Sequence, residues 1–165
     1  RNSMGVTVLS CYDKIVPNAY KADLFRYSVV YTHGGCYADI GFIFIGPQQR
    51  HLGADSFVST PDAVFPRVGV NSAFFCASKY HPILALAIEN IVRRVTNNDY
   101  GTDDIDVTGP KLFIKAFKEY FNNPEMRVAQ GGTLEMFDYC NDTILNLPDR
   151  KPAQHSGWRS FDSPE

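Results

Sequence analysis

Several features by which a chain most readily declares its chemistry are missing. The four cysteines, Cys11, Cys36, Cys76 and Cys140, contain no CxxC pair, which removes the usual spacing of a structural zinc site. No run of lysine or arginine accompanies the net charge of −2, so there is no electrostatic footprint for nucleic acid or for an anionic membrane surface. No apolar stretch approaches the roughly 20 residues that cross a bilayer, and no membrane span is expected in this chain. The acids Asp103, Asp104 and Asp106 lack the spacing of an EF-hand, so a solvated loop is the reading there rather than a calcium site.

What is present is a chain of 165 residues with 44% hydrophobic and 13% aromatic content, enough to bury a core and expected to form one domain over residues 1–165. Cys36 and Cys76 lie in apolar stretches where a free cysteine behaves as a small hydrophobe. A reducing, cytoplasmic setting is therefore the simpler expectation. The tripeptide Asn141-Asp142-Thr143, an acceptor pattern for N-glycosylation, keeps the Golgi lumen as the alternative.

The organising stretch runs from Pro17 to Ile45. Residues 18–33 have the period of a helix, with Pro17 suited to its start and Gly34-Gly35 to its end. A strand over Cys36–Ile45 is expected next, placing Asp39 in a segment that is apolar on both sides. Asp23 and Arg26, three apart on one helical face, lie among Ala22, Leu24, Phe25, Val29 and Val30. A buried carboxylate needs a cation, a donor or solvent beside it. The tight Gly-Gly connection folds Asp39 back toward Asp23 and Arg26. An intrahelical ion pair plus one edge-of-sheet aspartate would satisfy the spacing, but three charges converging in one crevice point to a ligand site.

Elsewhere, residues 5–10 read as a short strand. Residues 55–60 and 68–78 read as two more, the latter holding the polar Asn71. His81-Pro82 opens a helix that buries Leu84, Ile88, Ile91 and Val95 and turns Glu89, Arg93 and Arg94 outward. Thr108-Gly109-Pro110 caps another, with an apolar stripe of Leu112, Phe113, Ala116, Phe117 and Tyr120. Short strands are expected at residues 126–129 and 143–147. Near the end, His155-Ser156-Gly157-Trp158 contains the single tryptophan. By themselves His155 reads as a surface histidine and Trp158 as a plug for the tail.

The pattern Ala22-Asp23-x-x-Arg26-Tyr27 followed by Gly34-Gly35-x-Tyr37-x-Asp39 resembles the sugar-binding signature of the DXD-containing glycosyltransferases, the group that includes yeast α-mannosyltransferases and clostridial toxin glucosyltransferases. The Thr-Gly-Pro at 108–110 extends the resemblance. It implies an α/β fold of the GT-A, Rossmann-like type, a mixed sheet flanked by helices, with a first nucleotide-binding strand expected ahead of residue 1. It implies a hexosyltransferase that takes a nucleotide sugar, a UDP-sugar in preference to a GDP-sugar, and moves the sugar to a hydroxyl of a glycan, glycolipid or protein, with retention. Asp23, Arg26 and Asp39 would be catalytic. Asp23, Arg26, Tyr37, Ala38, Asn71, Ser156, Gly157 and Trp158 would bind substrate. A manganese or magnesium ion would sit on Asp39 and His155, because the second DXD position is Gly41 and offers no carboxylate. Apart from the resemblance, the alternative to a solvated loop for the acids at 103–106 is a part in forming the acceptor side.

That departure at Gly41 leaves two other classes in play. A non-catalytic nucleotide-sugar or carbohydrate binding module would tolerate a weakened metal motif. A metal-dependent phosphohydrolase would want more ligands than Asp39 and His155.

Overall fold

Among the described residues, helices and a small sheet share one core, and the stripes that build it follow from residue spacing. The computed structural model describes residues 2–44, 57–61, 70–122 and 144–146. Helix α1 spans Asn2–Lys14 and α2 spans Asn18–His33. Strand β1, Gly35–Ala38, follows at once, then β2, Phe42–Phe44. Strands β3, Phe57–Pro61, and β4, Val70–Ala77, precede α3, Pro82–Asn97. A single turn α4, Asp104–Val107, leads into α5, Pro110–Asn122, and β5 is Ile144–Asn146.

The described strands are all antiparallel. One sheet has the order β1-β4-β3, and β2 pairs with β5 in a second. Of the mixed sheet expected from the sequence, the described strands thus form only antiparallel pairs. One face of the three-stranded sheet carries Phe57, Phe75 and Ala77 into the helical core, and the other carries Val58, Phe74 and Cys76 with Ala38 and Phe42. Tyr27 of α2 stacks on Phe113 of α5 at 4.9 Å between centroids, and Phe75 lies 5.1 Å from Phe113. These rings fix α2 and α5 on the same face of the sheet. Because Phe113 is fully buried, truncation to alanine should destabilise by about 3–5 kcal/mol.

Four sequence expectations change here. Residues 5–10 are helical, not extended. Their β-branched residues belong to a longer period in which Cys11 and Ile15 are buried and Val8 and Tyr12 pack against the core, a spacing of three and four that runs past the boundary drawn at Cys11. The strand expected over 36–45 is broken after Ala38. The Phe42 N–H donates to the Asp39 carbonyl at 3.0 Å, so Asp39 opens a turn instead of sitting mid-strand, and Ile40 at its tip is 95% exposed. Arg94 does not face solvent. It is buried and reaches Asp106 at 3.0 Å and Asp99 at 3.8 Å. Lastly, Cys36 and Cys76 are not free thiols: they stand opposite each other in the β1-β4 register and form a disulfide. The argument for a reducing compartment rested on their being free and loses that support.

Other helix expectations are met. Pro17 is the N-cap of α2, and His81 caps α3 by accepting from the Ile83 N–H. Gly34 ends α2 with φ of 70°, its N–H donating to Val30 O, and a Cβ there would meet Lys79 N at 3.0 Å. Only glycine satisfies both demands at that corner. Leu84, Ile88, Ile91 and Val95 of α3 are buried, as are Leu112, Phe113, Ala116 and Tyr120 of α5. Among the described residues, no helix is long and apolar enough to cross a membrane.

Candidate functional site

The site is a consequence of how α2 turns into β1. From Arg26 to Gly34 the helix climbs about 12 Å at its usual rise, and from Gly34 to Asp39 the strand returns about 16 Å. Arg26 and Asp39 therefore reach similar heights on facing elements, within the span of an arginine side chain. The buried stripe of α2 is Tyr20, Asp23, Leu24, Tyr27 and Val30, which places Asp23 on the core side. Phe25, expected to surround it, is 58% exposed, and Val29 is also exposed.

Arg26 is the centre of the cluster. Its Nη2 lies 3.2 Å from Asp23 Oδ1, and its Nη1 lies 3.2 Å from Asp39 Oδ1 while donating to the Ser72 carbonyl of β4 at 3.0 Å. The guanidinium carbon stands 4.6 Å over the Tyr37 ring, and the Tyr37 hydroxyl donates to Asp39 Oδ1 at 2.5 Å. A planar guanidinium satisfies two carboxylates, one carbonyl and one ring face together, an arrangement a lysine ammonium cannot reproduce. The side chains of Asp23 and Arg26 are each 12% exposed, whereas that of Asp39 is 41% exposed. The cluster thus opens outward at Asp39.

The far side of Asp23 is closed by the α4-α5 junction. The Thr108 hydroxyl donates to Asp23 Oδ2 at 2.8 Å. Burial pushes the Asp23 carboxyl above its ordinary range, Arg26 and the Thr108 hydroxyl pull it back, and Asp39 adds a further upward push. Burial, the hydrogen bond to Asp39 and its negative charge, against an opposing pull from Arg26, raise the Tyr37 phenol to about 12. Tyr37 therefore stays protonated and donating at neutral pH. At their formal charges, Asp23, Arg26 and Asp39 sum to one net negative charge, set among oxygens with lone pairs still free.

Residues 2–58 match the family model described as the glycosyltransferase sugar-binding region containing a DXD motif. The chain is similar to the DXD-containing glycosyltransferases. It is 27% identical over 125 residues to an uncharacterised glycosyltransferase of Acanthamoeba polyphaga mimivirus, covering 75% of this chain and 49% of that protein. Among solved structures it resembles the PaToxG glycosyltransferase, with a TM-score of 0.57 at 16% identity over 75% of this chain and 45% of that one. At such identity the likeness is one of fold, and it gives this chain a GT-A-like α/β architecture. The chain spans about half the length of the relatives it matches.

Within this glycosyltransferase-like frame, Asp23, Arg26, Tyr37 and Asp39 come together as the sequence suggested. Ala38 does not join them: its side chain packs with the Val58, Phe74 and Cys76 cluster on the opposite face, so only its backbone borders the site. The Asn71 side-chain oxygen accepts from the Ala73 N–H at 2.8 Å and the Asn71 backbone carbonyl accepts from the Ser59 hydroxyl at 3.1 Å, a structural use one residue from the Ser72 carbonyl that holds Arg26. His155, Ser156, Gly157, Trp158 and the strand expected at 126–129 lie outside the described residues.

Asp103 pairs with Lys111, and Asp106 accepts from Thr102 and Arg94, so two acids of the loop read as solvated are tied into structure. Sequence reasoning missed Thr108 as a partner of Asp23. Thr-Gly-Pro announces a helix start, and nothing in that signal names the residue its hydroxyl will meet.

The described residues contain no group of three or more His, Cys, Asp or Glu side chains able to hold a metal. Of the two carboxylates on Arg26, Asp39 is the more exposed, and its Oδ1 is already engaged by Arg26 and Tyr37.

Proposed function

We propose that this chain transfers a sugar from a nucleoside diphosphate donor, a UDP-sugar in preference to a GDP-sugar, to a hydroxyl of a glycan, glycolipid or protein, with retention. The observation that carries the reading is the convergence of Asp23, Arg26, Tyr37 and Asp39 around one guanidinium, inside the segment that matches a sugar-binding region. Asp23 would accept hydrogen bonds from donor-sugar hydroxyls and so fix the anomeric carbon toward the acceptor. As the glycosidic bond breaks, its electron pair goes to the leaving diphosphate, and Arg26, the cation at the centre of the cluster, would stabilise that charge.

A manganese or magnesium ion held by Asp39 would supply Lewis-acid neutralisation of the same diphosphate. The single negative charge left on Asp23, Arg26 and Asp39 supports that assignment, since it would oppose a bare diphosphate and attract a divalent cation. His155 is the further ligand the reading assigns.

A second reading, a binding module without turnover, is favoured by one feature: the turn after Asp39 presents Gly41 where a second carboxylate would stand. The two readings separate in a screen of UDP- and GDP-sugars, with and without manganese, for thermal stabilisation and for release of free nucleoside diphosphate with a mixed pool of hydroxyl acceptors. Stabilisation with diphosphate release supports transfer. Stabilisation alone supports the binding module, and no stabilisation by any donor removes both.

A further inference from the structure

We infer that Thr108 is a positioning residue for the donor sugar, acting through Asp23. The inference rests on the function proposed above and assigns a use to a contact that links residues far apart in sequence. Thr108 is fully buried, and its hydroxyl donates to Asp23 Oδ2 at 2.8 Å across a separation of 85 residues. Asp23 Oδ1 is taken by Arg26 at 3.2 Å. Each carboxylate oxygen is thus held by a different partner, one from its own helix and one from the α4-α5 junction. A carboxylate pinned at both oxygens cannot rotate about its terminal bond, and the lone pairs left over keep a fixed direction.

The junction that carries Thr108 is itself braced. Arg94 of α3 holds Asp106 at 3.0 Å, and Asp106 Oδ2 accepts from the Thr102 N–H at 3.0 Å. Lys111 pairs with Asp103 across the start of α5. Gly109 lets the chain pass close behind Asp23: a Cβ there would stand 3.1 Å from the Ile105 carbonyl and 3.6 Å from Asp23 Oδ2. The bracing sets where the Thr108 hydroxyl stands, and the hydroxyl sets the plane of the Asp23 carboxylate. Arg26 needs no such help, because Asp39, Ser72 and Tyr37 hold it from the other side. Loss of the hydroxyl should therefore disturb recognition of the sugar and spare recognition of the diphosphate.

The test compares Thr108→Val, which keeps the volume and removes the donor, with Thr108→Ser, which restores the donor. Thr108→Ala serves as a second hydroxyl-free variant if valine compromises folding. Affinity is measured by calorimetry for UDP-glucose, UDP-galactose, UDP-N-acetylglucosamine and GDP-mannose, each against UDP or GDP as the sugar-free control, with manganese present.

The hydroxyl-free variants should bind the preferred sugar nucleotide about tenfold more weakly, the size of a lost hydrogen bond to a charged group. They should bind the sugar-free nucleotide unchanged, and serine should recover most of the loss. In parallel, the Asp23 carboxyl is titrated by carbon NMR. Arg26, Asp39 and Thr108 are the groups set against it, and the hydroxyl-free variants should titrate at higher pH than the parent while serine does not. Equal weakening of sugar-bearing and sugar-free nucleotides, or an Asp23 titration that ignores residue 108, overturns the inference and leaves the proposed function standing. Failure of the unaltered protein to bind any of the four sugar nucleotides overturns the proposed function, and the positioning role with it.

Discussion

Breaking the Cys36–Cys76 disulfide should loosen the strand that presents Asp39. Among the described strands β1 pairs with β4 alone, and it carries Tyr37 and leads directly into Asp39. The bond closes a loop with a sequence separation of 40, and a loop of that length restricts the unfolded chain by about 4 kcal/mol in the chain-entropy treatment. With a urea dependence of about 2 kcal/mol per molar, the unfolding midpoint should fall by about 2 M on reduction. The assay is urea unfolding of the oxidised protein, the dithiothreitol-reduced protein and the Cys36→Ser/Cys76→Ala variant, with thiols counted before and after reduction. Reduction should expose the two bonded sulfurs to titration, and the reduced and substituted proteins should unfold at similar urea. Identical midpoints for oxidised and reduced protein, with the thiol count confirming the bond, would refute the argument that it restrains β1.

Other outcomes follow from single side chains. His81 is buried and its imidazole is lowered to about 4 by desolvation, so protons bind the unfolded chain more readily between that value and about 6.5. The stability it supports is complete above about 6.5 and falls as pH drops through 4, by about 3 kcal/mol in total; urea midpoints at several pH values should show the loss, and His81→Gln should flatten it. Manganese should bind weakly without donor, because the proposed site assigns it Asp39 as its one ligand among the described residues. Donor and manganese should each raise the other's affinity by the same factor, and calorimetric titration in both orders checks that equality.

The α2-to-β1 corner was readable because its signals are local. Helix period, a positive-φ glycine pair and the spacing of Asp23, Arg26 and Asp39 all lie within one short stretch, and together they anticipated the convergence around Arg26. The stripes of α3 and α5 were readable for the same reason. What failed depended on partners distant in sequence. Val6 and Val8 look like strand residues until the pairing of Cys11 and Ile15 with the core extends their period. Arg94 looks solvent-facing until Asp106 is brought to it. Cys36 meets Cys76 only because β1 and β4 pair in that register, and Thr108 meets Asp23 only because α5 docks beside α2 through Phe113 and Tyr27. The break after Ala38 is the one local miss: aromatic and β-branched residues continue to Ile45, and the turn at Asp39 is marked only by Gly41.

The central claim is that Arg26 and the carboxylates it joins form a nucleotide-sugar site. Its most direct measurement is calorimetric binding of the four sugar nucleotides, with manganese, to the parent protein and to Arg26→Lys. The lysine keeps the charge and gives up the planar fork that reaches Asp23, Asp39 and the Ser72 carbonyl together. The account expects one sugar nucleotide to bind the parent and to lose at least tenfold in affinity in the variant, with circular dichroism unchanged. Binding that is equally tight in both proteins would contradict it and leave the cluster as a structural ion-pair network.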